Sequence, residues 1–190
     1  MLLSGARMVN ETAMPRIGQE ANFKQTEGAR LLKFINNKEQ NNVKEFTMYP
    51  IGIIHTPFTD TANTPIQAAR SRAAGQVVIY PEYAEGLQDL EGFSHIYLLY
   101  VFHCSSGYSL RVKPYLDDGL RGLFATRYPC RPNPIGLSVV RLVACRENVL
   151  DIVGVDMLDG TPVLDIKPYV PEFDVKTGVR VGWYGTRTKR

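Results

Sequence analysis

The segment HIYLLYVFHC, residues 95–104, is apolar on both faces of an extended chain, the composition expected of a strand covered on two sides. Working outward from it, the sequence beyond Tyr49 consists of short runs rich in Val, Ile and Tyr, punctuated by Gly and Pro. That texture signals strands and turns. Predicted strands fall at residues 49–55, 76–80, 95–104, 110–112, 122–126, 136–145, 149–157 and 164–169, with one short helix at 84–90. No helical period lasts beyond about two turns. Closely spaced strands without long crossover helices predict a mainly β fold, a sandwich or barrel of about 7–8 strands, and argue against a doubly wound sheet.

Length and composition agree with one globular core plus an appendage. The chain has 190 residues, 44% hydrophobic and 22% charged, which excludes collagen-like, coiled-coil and disordered classes. The longest apolar run, residues 96–102, is far shorter than the roughly 20 residues of a membrane helix. The start, MLLSGARMVNETAMP, lacks the apolar core of a signal peptide. A cytoplasmic protein is therefore expected. A net charge of +3 says little about nucleic acid, so the local placement of arginines matters more. Cys104, Cys130 and Cys145 are odd in number and have no Cys-x-x-Cys spacing, which predicts neither a zinc site nor a disulfide framework but reduced thiols, mostly buried. Residues 1–47 read as an extension, partly disordered or helical, with Phe23, Leu31, Phe34 and Ile35 near helical spacing. The domain proper is assigned to residues 48–175 and a tail to 176–190.

Three segments carry chemistry. FATRYPCRPNPIGLS, residues 124–138, holds prolines at 129, 132 and 134, which fix their own dihedrals and push the preceding residues toward extended geometry. On so stiff a loop Arg127 and Arg131 are either held ready for a carboxylate or phosphate or are solvated arginines of a surface polyproline segment. In DMLDGTPVLDIKPY, residues 156–169, Asp159-Gly160 is a turn signal and Pro162 argues against a central strand through that point. Its carboxylates accept ribose hydroxyls or balance a cation, or else the segment is a hairpin turn with Asp165 and Lys167 paired on a strand face. TPIQAARSRAAG, residues 64–75, presents Arg70 and Arg72 in a loop, suited to phosphate contact or to a solvated face. His103 ends the central apolar strand, where it is structural or catalytic. Rossmann, phosphate-loop, nucleophile-elbow and His-Glu-x-x-His motifs are absent.

Four stretches in order, YPIGIIHTPF (49–58), FSHIYLLYVFH (93–103), FATRYPCRPNPIGLS (124–138) and DGTPVLDIKPYVP (159–171), resemble the TsaA-like family, tRNA methyltransferase O. The resemblance implies a compact β-barrel that binds S-adenosylmethionine without a Rossmann fold, commonly as a homodimer with the cofactor crevice near the subunit interface. It implies methyl transfer to the exocyclic nitrogen of threonylcarbamoyladenosine beside the tRNA anticodon, with no metal. Position by position, it places cofactor contacts on Pro65, Ile66, Gln67, His103, Cys104, Arg127, Leu137, Asp159, Gly160, Thr161 and Pro162. Arg70, Arg72 and Arg131 are the RNA-binding candidates, and His103 and Asp159 the candidates for a catalytic base. Many bacterial members have Pro-Arg-Gln at 65–67 and Gln at 104, so this chain lacks one positive side chain there. The additional C-terminal domain of some bacterial members is expected to be missing. Two other readings stand beside this one: a methyltransferase of the same fold acting on a small molecule, and a non-catalytic S-adenosylmethionine-binding module.

Overall fold

Six strands close on one another into an antiparallel barrel. They are β1 (Gly52–His55), β2 (Ala74–Ile79), β3 (His95–Val101), β4 (Ile135–Arg146), β5 (Val149–Val153) and β6 (Thr161–Pro168). Around the barrel the order is β6, β1, β2, β5, β4, β3 and back to β6. The computed structural model describes Leu32–Lys33 and residues 46–186, all within one unit that begins at Leu31. Most of the expected N-terminal extension lies outside the described residues. Leu32–Lys33 is extended and pairs with Thr47–Met48, not helical as the spacing around Leu31 predicts.

The alternation of side chains explains the closure. Along β4, Gly136, Ser138, Val140 and Leu142 are buried while Leu137, Arg141 and Val143 face outward, the two-residue period of a half-covered strand. Their counterparts Ile96, Leu98 and Tyr100 on β3, Ile54 on β1, Val77 and Ile79 on β2, Leu150 and Ile152 on β5 and Val163 on β6 fill the interior. Each buried aliphatic side chain contributes about 1.5–3 kcal/mol. Register shifts in β6 between Val163 and Asp165 and in β4 between Leu142 and Ala144 give the sheet the bends that closure needs.

As expected, β3 is hydrogen-bonded on both sides, but its outer face is only half covered, with Tyr97 packed on Tyr169 at 5.6 Å. Four expectations need correction. The barrel has six strands rather than seven or eight, because the 110–112 run makes only a two-residue ladder, Arg111–Val112 against Arg121–Gly122, outside it. Leu123–Ala125, expected in a strand, is a 3-10 turn. The helix near 84–90 is a 3-10 helix, Pro81–Leu87, started by Pro81. Pro162 is inside β6 after all: it pairs with Ile53 on one side and precedes the first pairing with β3, Val163 to Tyr100, on the other.

One close approach governs the interior. Gly136 lies opposite Tyr100, and a Cβ on Gly136 would stand 2.2 Å from the tyrosine ring. Gly136→Ala is expected to destabilise by about 1–3 kcal/mol through overpacking, seen as a thermal midpoint several degrees lower; an unchanged midpoint would mean that the ring moves aside freely.

Candidate functional site

The barrel end where β1, β3 and β5 finish and β4 and β6 begin opens into a cavity of about 1210 Å³, larger than the roughly 300–1,000 Å³ of most small-ligand sites. Its floor is polar. Tyr100 Oη is 3.1 Å from Ser138 Oγ, and Ser138 Oγ donates to Asp156 Oδ1 at 2.6 Å. A serine hydroxyl has one proton, so with that proton on Asp156 it is Tyr100 that donates to Ser138. The result is a directed chain from phenol to carboxylate. Burial raises the affinity of Asp156 for a proton, and the hydrogen bond from Ser138, the backbone N–H of Ala68 and the charge of Arg127 only partly offset it. Burial, then the nearby Asp156 charge, push the Tyr100 phenol well above its ordinary range, so Tyr100 is a fixed donor at any physiological pH.

The loop between β1 and β2 forms one wall. Pro65, Ile66, Gln67 and Arg70 line the cavity, and the Ala68 backbone contact to Asp156 fastens this loop to the barrel. The proline-rich segment forms the facing wall. Arg127 Nη1 reaches across to Gln67 Oε1 at 3.1 Å, joining the two walls through exposed side chains. Arg131 behaves differently from Arg127. Its Nη1 donates to the carbonyl of Thr126 at 2.9 Å and approaches those of Leu123 and Tyr128 at 3.4 Å, and its guanidinium sits 5.7 Å from the centre of the Phe124 ring. Arg131 therefore holds the loop from within.

The remaining positions singled out from sequence divide into two groups. His103, Cys104, Leu137 and Thr161 line the cavity, with His103 Nδ1 3.4 Å from Thr161 Oγ1 and Leu137 54% exposed on the outward face of β4. Asp159, Gly160, Pro162 and Arg72 are not among its lining residues. The Asp159 carboxylate accepts the Thr56 backbone N–H at 3.1 Å and lies 3.2 Å from His55 Nδ1. Those contacts, the backbone bond first, hold it below the ordinary carboxylate range, which suits a strut between β1 and β6 better than a proton acceptor. Gly160 takes φ of 74°, the left-handed turn foreseen from Asp159-Gly160, and Asp165 pairs with Lys167 at 2.7 Å. Cys104 is exposed and Cys130 and Cys145 are half-buried, so the three thiols are more accessible than expected.

Asp156, Ser138 and Tyr100 were not legible as a site. Asp156 opens a quoted segment, yet the Asp159-Gly160 turn signal drew attention downstream; only the apolar run before Asp156, which brings a carboxylate off a buried strand, marks it. Trp183 and Tyr184 also line the cavity, and nothing in the sequence connects them to it. No helix among the described residues is long and apolar enough to cross a membrane, and no cluster of three or more His, Cys, Asp or Glu suited to a metal occurs among them.

An exposed guanidinium, apolar Ile66 and Leu137, the imidazole of His103 and a half-buried carboxylate around one cavity form a set that fits a zwitterionic nucleoside such as S-adenosylmethionine. Comparisons with known proteins agree. The N-terminal domain model of tRNA-methyltransferase O matches residues 53–175. A probable S-adenosyl-L-methionine-binding protein of Pyrococcus abyssi is 57% identical over 135 residues, 70% of this chain and 73% of that protein. A tRNA (adenine(37)-N6)-methyltransferase of Mus musculus is 39% identical over 133 residues, 66% of this chain but 31% of that protein. The crystal structure of TrmO from Pseudomonas aeruginosa superimposes with a TM-score of 0.61 at 39% identity, covering 73% of this chain and 62% of that one. The chain thus spans under two thirds of the mouse protein and of the Pseudomonas structure, while the domain match and the archaeal identity are sufficient for membership: this chain belongs to the tRNA-methyltransferase O family.

Proposed function

We propose that this chain is an S-adenosylmethionine-dependent methyltransferase acting on tRNA, and that its acceptor is the exocyclic nitrogen of threonylcarbamoyladenosine beside the anticodon. The family match across residues 53–175 carries the reading. The names of relatives support it from two sides, one as a binder of S-adenosyl-L-methionine and one as a methyltransferase of adenine 37 in tRNA. The homodimer and the cytoplasmic location belong to the same reading. Large apolar side chains exposed around the cavity, Tyr115 and Leu116, support the dimer.

S-adenosylmethionine supplies a methyl group on a sulfonium, ready for in-line displacement. The residues of the chain then have to align donor and acceptor and receive one proton. Arg127, exposed and hydrogen-bonded to Gln67, is the group proposed to hold the cofactor carboxylate or an RNA phosphate, and its exposure supports this. Ile66 and Leu137 offer apolar surface to a purine, and His103, whose ring lies beside the Thr161 hydroxyl that donates to the Leu158 carbonyl, offers a hydrogen-bonding group to a ribose. Asp156 is the group proposed to take the proton of the acceptor nitrogen: its carboxylate lines the cavity, burial keeps its proton affinity raised, and Ser138 with Tyr100 fixes its orientation. His103 lines the same cavity as the second candidate, whereas Asp159, bound to Thr56 and His55, lies outside it. An anticodon-loop base is already single-stranded, so little unpairing energy opposes its entry.

The reading is tested by incubating the chain with labelled S-adenosylmethionine and tRNA bearing the threonylcarbamoyl group. Label transferred to that nucleoside is expected, with affinity falling steeply as salt rises; salt-insensitive binding without transfer would favour a small-molecule acceptor, and cofactor binding without turnover a sensor.

Two substitutions probe the residues. Arg127→Ala is expected to weaken cofactor or RNA binding yet shift stability by no more than about 0.5 kcal/mol, since its one bond to Gln67 is exposed; a large drop in thermal midpoint would make it structural. Asp156→Asn should lower turnover by about 100-fold or more with no loss of stability. The sign follows from the raised proton affinity of Asp156: the native state holds that proton more tightly than the unfolded chain, so the ionised form costs stability at neutral pH. Stability of the wild-type chain should therefore gain from Asp156 as pH falls from neutral toward the ordinary carboxylate range, and the Asn variant should lack that gain.

A further inference from the structure

The last described segment reaches back to the cavity from outside the matched family domain. That domain ends at residue 175, whereas Gly182–Thr186 forms a 3-10 turn from which Trp183 and Tyr184 line the cavity together with Val181. The turn is fastened by its tryptophan. Trp183 Nε1 donates to the Ala125 carbonyl at 2.8 Å, and the Arg121 guanidinium sits 5.7 Å from the centre of the indole ring. Arg121 is itself held by the fully buried carboxylate of Asp117 at 2.6 Å. Trp183 thus docks on the short segment that leads into the arginine loop, and its edge-on contact with Tyr184, 6.2 Å between ring centres, sets the position of the second ring.

From this placement we infer that Tyr184, positioned by Trp183, is a stacking wall for the nucleobase that accepts the methyl group. The inference rests on the tRNA methyltransferase reading and adds to it a specificity element contributed by the tail. Three observations favour the RNA base over the cofactor. Every position that the family resemblance assigns to the cofactor lies within the matched residues 53–175, and none of them lies in the tail. The tail is pinned to Arg121 and Ala125, on the side of the cavity that carries Phe124, Tyr128 and Arg127. Exposed aromatic rings interleaved with arginines are what single-stranded RNA uses for stacking and phosphate contact. Tyr184 remains 39% exposed, Phe124 74% and Tyr128 39%, leaving ring surface for a base to cover.

The experiment compares wild type, Tyr184→Ala and Trp183→Phe for methyl transfer to tRNA and for S-adenosylmethionine affinity by calorimetry, and follows tryptophan emission of the unmutated chain. The sequence contains one tryptophan, so emission reports on this turn alone. Tyr184→Ala is expected to raise the KM for tRNA about tenfold or more, the scale of one lost base stack, with cofactor affinity unchanged. Trp183→Phe, which keeps a ring but loses the bond to Ala125, should shift the same KM in the same direction by less. Added tRNA should change the emission of Trp183, and S-adenosylmethionine alone should not. Transfer by wild type with an unchanged KM in Tyr184→Ala, or a loss confined to cofactor affinity, overturns the wall. Emission that answers to the cofactor and ignores tRNA also overturns it, even if Tyr184→Ala fails to fold. Absence of transfer by wild type would overturn the enzymatic reading and with it the wall for an accepting base, and a response of the emission to tRNA would then mark only an RNA contact at this turn.

Discussion

A tyrosine ring packed across a glycine is the contact on which the rest of the site depends. With any side chain at position 136, the Tyr100 ring would have to move, and its hydroxyl would leave Ser138. Ser138 would then lose the donor that orients it toward Asp156. A carboxylate half withdrawn from water needs hydrogen bonds to compensate, so the glycine in the proline-rich motif indirectly favours an ionisable group at the cavity floor. The core that excludes water from this chain is the same one that closes the barrel: Ile54, Leu98, Val140 and Val163 surround it with apolar surface.

Above that floor, two arginines of one loop have different tasks. Three prolines restrict the loop backbone, and Arg131 completes the restriction by donating to the Thr126 carbonyl and approaching those of Leu123 and Tyr128. Arg127, four residues earlier, shares an exposed hydrogen bond with Gln67, and the rest of its fork has no hydrogen-bond acceptor among the described residues. A loop stiffened by one guanidinium can hold another in place with little entropy left to lose on ligand capture. This division accounts for the motif better than treating both arginines as ligands.

The class of fold was legible because short runs rich in Val, Ile and Tyr, separated by Gly and Pro, carry no helical period beyond about two turns. The strand count was not, since residues 110–112 and 122–126 have strand-like composition but pair for only two residues before Leu123 turns. Pro162 misled for a local reason: the rule against proline in central strands concerns the missing N–H, and at a strand's opening, before the second partner arrives, no bond is forfeited. Within the candidate site, residues in stiff, punctuated loops were visible, as Pro65, Gln67 and Arg127 were. Asp156, Ser138 and Trp183 were not, because their importance comes from cross-strand neighbours and a returning tail, relations that one-dimensional spacing does not encode.

The position of β6 has a consequence for biosynthesis. The last strand of the barrel inserts between the first and the third, so until residue 168 has left the ribosome both β1 and β3 present unpaired edges rich in isoleucine and leucine. Such edges are templates for pairing with other chains, and contacts this distant in sequence form slowly. A nascent chain that stalls before Thr161 would therefore be an open, adhesive sheet, and the hydrogen-bonded turn at His55, Thr56 and Asp159 holds the chain beside the end of β1 at the point where β6 is about to begin.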